Sequence, residues 1–167
     1  LIAFAGPKGA KQLIIDSTAP QLSAIADKLF DVSTGGQRRL RIITQKQNVD
    51  GSTRECFEIA VRDWRGERDA CGGFSGGQLT LNQVTFRFAT MLFRGQIFGY
   101  TPESCFLDEP TGGLGDEGIP ELIRLLDYMA QYFKFICVIT HDHAIAQRIP
   151  SEIKLIEGNP LRVEERN

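Results

Sequence analysis

Two apolar runs that end in clustered polar residues, ESCFLDEP at 103–110 and FKFICVITHD at 133–142, constrain this chain more than any other feature. Each reads as a short buried strand, and the stretch between them, roughly Asp116 to Tyr132, reads as a helix. Strand, helix, strand in that order implies parallel strands joined by a right-handed crossover. In such sheets ligands bind beyond the carboxyl ends of the strands. Both ends are loaded here, one with Asp108 and Glu109, the other with Thr140, His141 and Asp142.

Upstream the pattern differs. STAPQLSAIADKLFDVSTGG reads as a capped helix, with Ser17 or Thr18 as cap, Pro20 near the first turn and Gly35-Gly36 as the stop. RRLRIITQ and ECFEIAVRD, separated by a turn at Asn48 to Gly51, read as a long β-hairpin. A second turn at Trp64 to Glu67 leads into the glycine-rich loop CGGFSGG, and LTLNQVTFRFATMLF then reads as a mostly buried helix. A short helix at Ala144 to Arg148 and a strand at Ile153 to Ile156 close the chain.

With 42% hydrophobic and 24% charged residues, the 167-residue chain has the composition of one ordinary folded domain. A net charge of −2 leaves it without the basic footprint of a small DNA-binding domain. No apolar run approaches the roughly 20 residues of a membrane helix. The four cysteines form no C-x-x-C pair; Cys56, Cys105 and Cys137 lie in strand-like runs and read as reduced and packed, which suits an intracellular protein. Leu1 at the first position, with no signal-peptide pattern, reads as a piece of a longer chain.

Three groups could carry chemistry. Asp108 and Glu109 end a rigid strand, so one can hold Mg²⁺ through water while the other orients and deprotonates an attacking water. Taken alone, Asp-Glu-Pro reads more readily as a helix or turn cap. His141 follows a strand that should lie beside that of Asp108, where it could hydrogen-bond a phosphate or fix the water; His143 reads as surface or helix start. Phe74-Ser75-Gly76-Gly77-Gln78 runs directly into a helix, and backbone N–H groups at a helix start beside a serine hydroxyl make an anion site. A glycine loop on its own suits a hinge as well.

In this order and at near-equal spacing, FSGGQ, CFLDEP and ITHD resemble the second half of an ABC-type ATPase. FSGGQ looks like the signature motif, CFLDEP the Walker B strand, TGGLGD the D-loop and ITHD the switch histidine. The resemblance implies an α/β fold, the C-terminal lobe of a P-loop NTPase-type ABC ATPase head: a mainly parallel sheet flanked by helices, with a preceding β-hairpin, residues 1–167 forming one lobe. It implies ATP and Mg²⁺ as cofactors, with Ser75, Gly76 and Gly77, flanked by Phe74 and Gln78, touching a nucleotide held mainly by the Walker A loop of a partner surface. Asp108 would serve the metal; Glu109 and His141 would serve catalysis. The chain has no complete phosphate loop of its own, and GPKGAK at 6–11 has the wrong spacing.

The hairpin ahead of the signature, where transporter ATPases carry a helical subdomain, resembles the C-terminal lobe of the SbcC family of DNA-repair ATPases, related to the structural-maintenance-of-chromosomes (SMC) proteins. That resemblance implies an absent N-terminal Walker A lobe, a coiled coil, a second head, an SbcD-type nuclease and duplex DNA ends as partners, and a cytoplasmic, nucleoid-associated setting with no membrane. Three positions depart from the SbcC pattern: Gln78 stands where Glu is usual, LDEPT is closer to transporters and to archaeal and eukaryotic double-strand-break ATPases, and Gly115 precedes Asp116 where Asp is expected. A transporter ATPase subunit and a lobe that has lost hydrolysis are the competing readings. Arg38, Arg39 and Arg41 offer either a basic edge for DNA or, for Arg39 and Arg41, the solvent face of a strand.

Overall fold

The chain begins its described structure with a helix longer than its cap signals suggest. A computed structural model describes residues 7–70, 72–154 and 162–165, and α1 runs from Pro7 to Thr34. Ser17 and Thr18 do not cap it. Their hydroxyls donate back to the Ile14 carbonyl at 3.0 and 2.6 Å, and Pro20 sits inside the helix. Such back-bonding lets hydroxyl residues continue a helix instead of starting one. The stop is where the glycines place it: Gly35 takes φ 63° and the Gly36 N–H reaches the Asp31 carbonyl at 2.9 Å, the left-handed finish of a Schellman turn. Ala19, Ala26, Leu29 and Phe30 form the buried stripe.

Strands β1 (Arg39–Gln47), β2 (Thr53–Asp63) and β3 (Gly66–Asp69) form an antiparallel sheet in that order. The hairpin expected from alternation is present, with Arg39 opposite Arg62 and a register shift between Ile43 and Gln45. The third strand is not foreshadowed in the sequence: GERD has no apolar alternation, and it pairs because the turn at 64–65 folds it back along β2, Val61 opposite Arg68. On one face of this sheet α1 covers Leu40 and Val61; the opposite face carries exposed Arg39, Arg41 and Arg62, with Ala60 buried among them.

Helix α2 (Gly76–Phe98) follows the glycine loop and buries Leu81, Val84, Thr85, Phe88 and Ala89 against α1 and α3 (Gly118–Met129). It ends at Gly99, left-handed at φ 68°. Strands β4 (Ser104–Asp108) and β5 (Phe135–Ile139) pair in parallel with α3 as the crossover, as the sequence pattern requires. The sheet is not mainly parallel, however. The parallel portion among the described residues is this two-stranded pair, set beside an antiparallel sheet of three strands and another of two. Cys105 faces the helices and is buried, whereas Phe106, Phe135 and Ile139 are exposed on the opposite face. Cys56 and Cys137 are free and half-buried; Cys71 lies outside the described residues. Helix α4 (His143–Ala146) is capped by Asp142, which accepts from the Ala144 N–H at 2.8 Å. The closing strand runs as β6 (Ser151–Lys154) against β7 (Arg162–Glu165); positions 155 and 156 of the expected strand lie outside the described residues.

Candidate functional site

Parallel pairing brings the two polar strand ends together. Asp108 stands opposite Ile139 at the last rung, and the Glu109 N–H extends the ladder to the Ile139 carbonyl at 2.8 Å. The chain turns sharply there. Glu109 adopts φ 45°, the one non-glycine residue with positive φ among those described, a conformation that costs an L-residue roughly 1–2 kcal/mol. Pro110, which disfavours the right-handed helical region for the residue before it, removes the ordinary alternative. The strain is held by the ladder on one side and by the Gly112 N–H on the Glu109 carbonyl at 3.2 Å on the other.

The turn aims the Glu109 carboxylate at His141. Nδ1 of the imidazole donates to Oε1 at 2.9 Å, which leaves Nε2 for another partner. This hydrogen bond and the Glu109 charge raise the His141 pKa above its ordinary 6.5, with a smaller contribution from Asp142. Thr111 and Thr140 hydrogen-bond each other at 3.2 Å and tie the two strand ends together just behind the pair. Asp108, on the open face of the strand pair, is exposed, and its carboxylate has no hydrogen-bond or ion-pair partner among the described residues. No cluster of three metal-ligating side chains occurs among those residues. One free carboxylate on a rigid strand end fits Mg²⁺, which keeps most of its water shell and shares it with phosphate oxygens.

The glycine loop forms the other half of the site. Ser75 is the N-cap of α2 in a capping box: its hydroxyl accepts from the Gln78 N–H, and the Gln78 side chain accepts from the Ser75 N–H at 3.3 Å. Glutamine and glutamate serve that position equally, so the Gln78 departure has a local structural role. The first turn carries no acid to offset its positive end. Gly77 is required by a neighbour within the chain, because a Cβ there would lie 2.5 Å from the Gly113 carbonyl oxygen. Gly76 has no such neighbour; a Cβ would meet nothing within 4 Å. Thr80 donates to the Gly112 carbonyl at 2.8 Å, so the loop at 75–78 and the segment at 112–118 form one packed unit.

Glu109 and His141 are therefore brought together, and Ser75 to Gln78 are joined to the 112–118 segment. Among the described residues no hydrogen bond or ion pair joins Ser75 to Gln78 directly to Asp108, Glu109 or His141. Phe74 is half-buried under the Arg68 guanidinium, 4.1 Å above its ring. Arg68 also pairs with Asp63 and donates to the Gly73 carbonyl, so from β3 it braces the loop against the end of β2. Sequence reasoning missed Arg68, and its only signal is position: an arginine shortly before a glycine loop. Arg39 and Arg41 lie on the exposed face of β1, the second of the two readings offered for them, while Arg38 is buried and joins no basic edge. Arg38 is buried against Asn82 and Glu121, Arg39 pairs with Asp27 and Asp31, and Arg41 with Glu67.

No family model matches the chain. Sequence similarity reaches the macrolide export ATP-binding/permease protein MacB of Bartonella quintana (strain Toulouse), 36% identical over 56 residues, covering 34% of this chain and 8% of that protein. MacB of Rhodopseudomonas palustris (strain BisB18) is 27% identical over 139 residues, covering 83% of this chain and 18% of that protein. The chain thus spans under a fifth of these relatives. Among solved structures, a chain from work on ATP-driven dimerization and DNA stimulated activation of SMC ATPases superposes with a TM-score of 0.68 at 16% identity, over 93% of this chain and 89% of that one. The fold is that of an SMC head. The SMC head domain of Thermotoga maritima agrees, with a TM-score of 0.61 at 18% identity over 95% of this chain and 52% of that one. So does the Pyrococcus furiosus Smc head bound to the C-terminal domain of ScpA, at 0.62 and 17%, over 93% and 37%. Ahead of the glycine loop stands the three-stranded sheet β1–β3, where the sequence reading expects a β-hairpin.

Proposed function

We propose that this chain is the signature-bearing lobe of an ATP-hydrolysing head, which closes against a second head on ATP and reopens on hydrolysis. The observation that carries the reading is the Glu109–His141 hydrogen bond at the adjacent carboxyl ends of two parallel strands, within an SMC-head fold. Glu109 orients the attacking water and accepts its proton; His141 holds that carboxylate in place and keeps Nε2 available for water or phosphate. Asp108 would hold Mg²⁺ through water, and the ion would supply positive charge to the phosphate oxygens. Gly76 and Gly77 present their N–H groups, with the Ser75 hydroxyl beside them and the positive end of α2 behind, to the γ-phosphate of ATP bound on the opposite head. Closure is biased by ATP because the closed pair binds it better than the open one.

The rest of the machinery lies beyond these residues. We assign the Walker A loop to an N-terminal lobe that covers the exposed face of Phe106, Phe135 and Ile139, and a coiled coil to the α1 side, where Leu13 and Ile14 are exposed. The finer reading is a double-strand-break repair ATPase of SbcC type, acting on duplex DNA ends with an SbcD-type nuclease in a nucleoid-associated, cytoplasmic setting. No helix among the described residues is long and apolar enough to cross a membrane. The neutralised arginines of β1 leave DNA contact to other parts of such a head. A transporter ATPase is the second reading, favoured by the MacB sequence relatives and opposed by the β1–β3 sheet ahead of the loop.

The test is turnover and ATP-dependent dimerisation of the full-length protein. Glu109→Gln lowers kcat roughly 10²–10⁴-fold while ATP-induced dimers persist. Ser75→Arg abolishes those dimers. Normal turnover in the first variant, or unchanged dimers in the second, removes the residue from its assigned role.

A further inference from the structure

We propose that Arg38 is a positioning residue that sets the tilt between the signature turn and the D-loop, an inference that rests on the head reading above. A cavity of about 380 Å³ lies between the turn at 75–78 and the loop at 113–118, and Arg38 lines it from the position just before β1. Only 5% of Arg38 is exposed. Its Nη1 donates to Asn82 Oδ1 at 2.9 Å, and its Nη2 pairs with Glu121. Asn82 lies in α2, which begins at the signature turn; Glu121 lies in the first turn of α3, which follows the D-loop. One rigid, planar fork therefore grips both helices.

The turn and the loop already touch through Gly77 and Gly113 and through Thr80 and Gly112. That contact sets their separation. A second tie further along both helices fixes the angle as well, and Arg38 is that tie. Its backbone N–H is bonded to Thr34 Oγ1 at 3.0 Å and Arg124 holds the Ser33 carbonyl at 2.9 Å, so the end of α1 anchors it. Stability alone does not call for this arrangement, since a buried ion pair is commonly matched by apolar residues of similar volume. Asn82 points the same way: its Nδ2 is buried without a partner among the described residues, so the amide's structural use is to receive Arg38.

The experiment compares wild type, Arg38→Lys, Arg38→Met and the double variant Arg38→Met/Glu121→Leu in the full-length protein. Tm, hydrogen exchange at 76–80 and 112–118, and kcat and KM for ATP are measured. Arg38→Met alone loses Tm by stranding Glu121, and the double variant regains it. We expect the double variant still to exchange both segments at least about tenfold faster, and to lose kcat roughly 10- to 100-fold with KM nearly unchanged, as misplacement does. Arg38→Lys, a point charge that cannot span both partners, falls between. Wild-type exchange and kcat in the thermally recovered double variant overturn the inference. If the wild-type protein does not turn over ATP at all, the head reading falls on that result, while exchange at the two segments still decides the role of Arg38.

Discussion

Glu109 carries two anomalies at one position, a left-handed backbone and a carboxylate committed to a histidine. Backbone strain of this kind persists where the surrounding structure over-determines it, and here the β5 ladder and the Gly112 turn do so. The His141 titration reports directly on the pair. Because its folded pKa lies above the unfolded value, the pair's contribution is complete below the unfolded pKa and fades as pH rises through the folded one. The imidazole is 89% exposed, so the effect is read from the imidazole resonances and not from stability. An NMR titration is expected to place His141 above 6.5 and to move it back toward that value in Glu109→Gln; a midpoint unaffected by the substitution contradicts the pair. The candidate residues were legible as types and spacing. The φ of Glu109 was not, because it follows from how the ladder ends and not from the residue itself.

At the scale of elements, the glycine loop separates into positions with different owners. Gly77 answers to the 112–118 segment, whose backbone leaves no room for a Cβ, whereas Gly76 answers to nothing within the chain. Gly77→Ala is therefore expected to destabilise the fold by about 1–3 kcal/mol, as overpacking does, seen as a Tm lower by several degrees. Gly76→Ala should leave Tm within a degree or two and instead weaken ATP-dependent dimerisation, since on the proposed head reading its methyl would meet the phosphate held by the other head. Equal Tm losses in the two variants would contradict this division. The parallel strands and α2 could be read from apolar periodicity because their burial is written into residue type. The true start of α1 and the existence of β3 could not. Ser17 and Thr18 are competent caps that were overruled by helix continuation, and GERD pairs only because β2 presents an edge to it.

At the scale of the whole molecule, one face of the parallel strand pair is left uncovered, which fits the proposed half-site. Phe106, Phe135 and Ile139 are 68%, 49% and 51% exposed on one face of a parallel pair, and parallel strands are ordinarily covered on both faces. Residues 1–167 alone are accordingly expected to show no ATP turnover above background, and a separately expressed Walker A lobe to restore it on mixing. Turnover by the isolated chain would show that the reading of an incomplete site is wrong. By itself the sequence determined the β-α-β half, the polar clusters at its two strand ends and the glycine stop of α1, because these depend on local periodicity, turn chemistry and residue type. The tertiary structure decided which charges are free. Arg38, Arg39 and Arg41 are alike as letters, yet one is buried between two helices and the others are neutralised by acids from distant segments. Ion pairing is set by which surfaces meet, and that is decided only when the helices and sheets are packed.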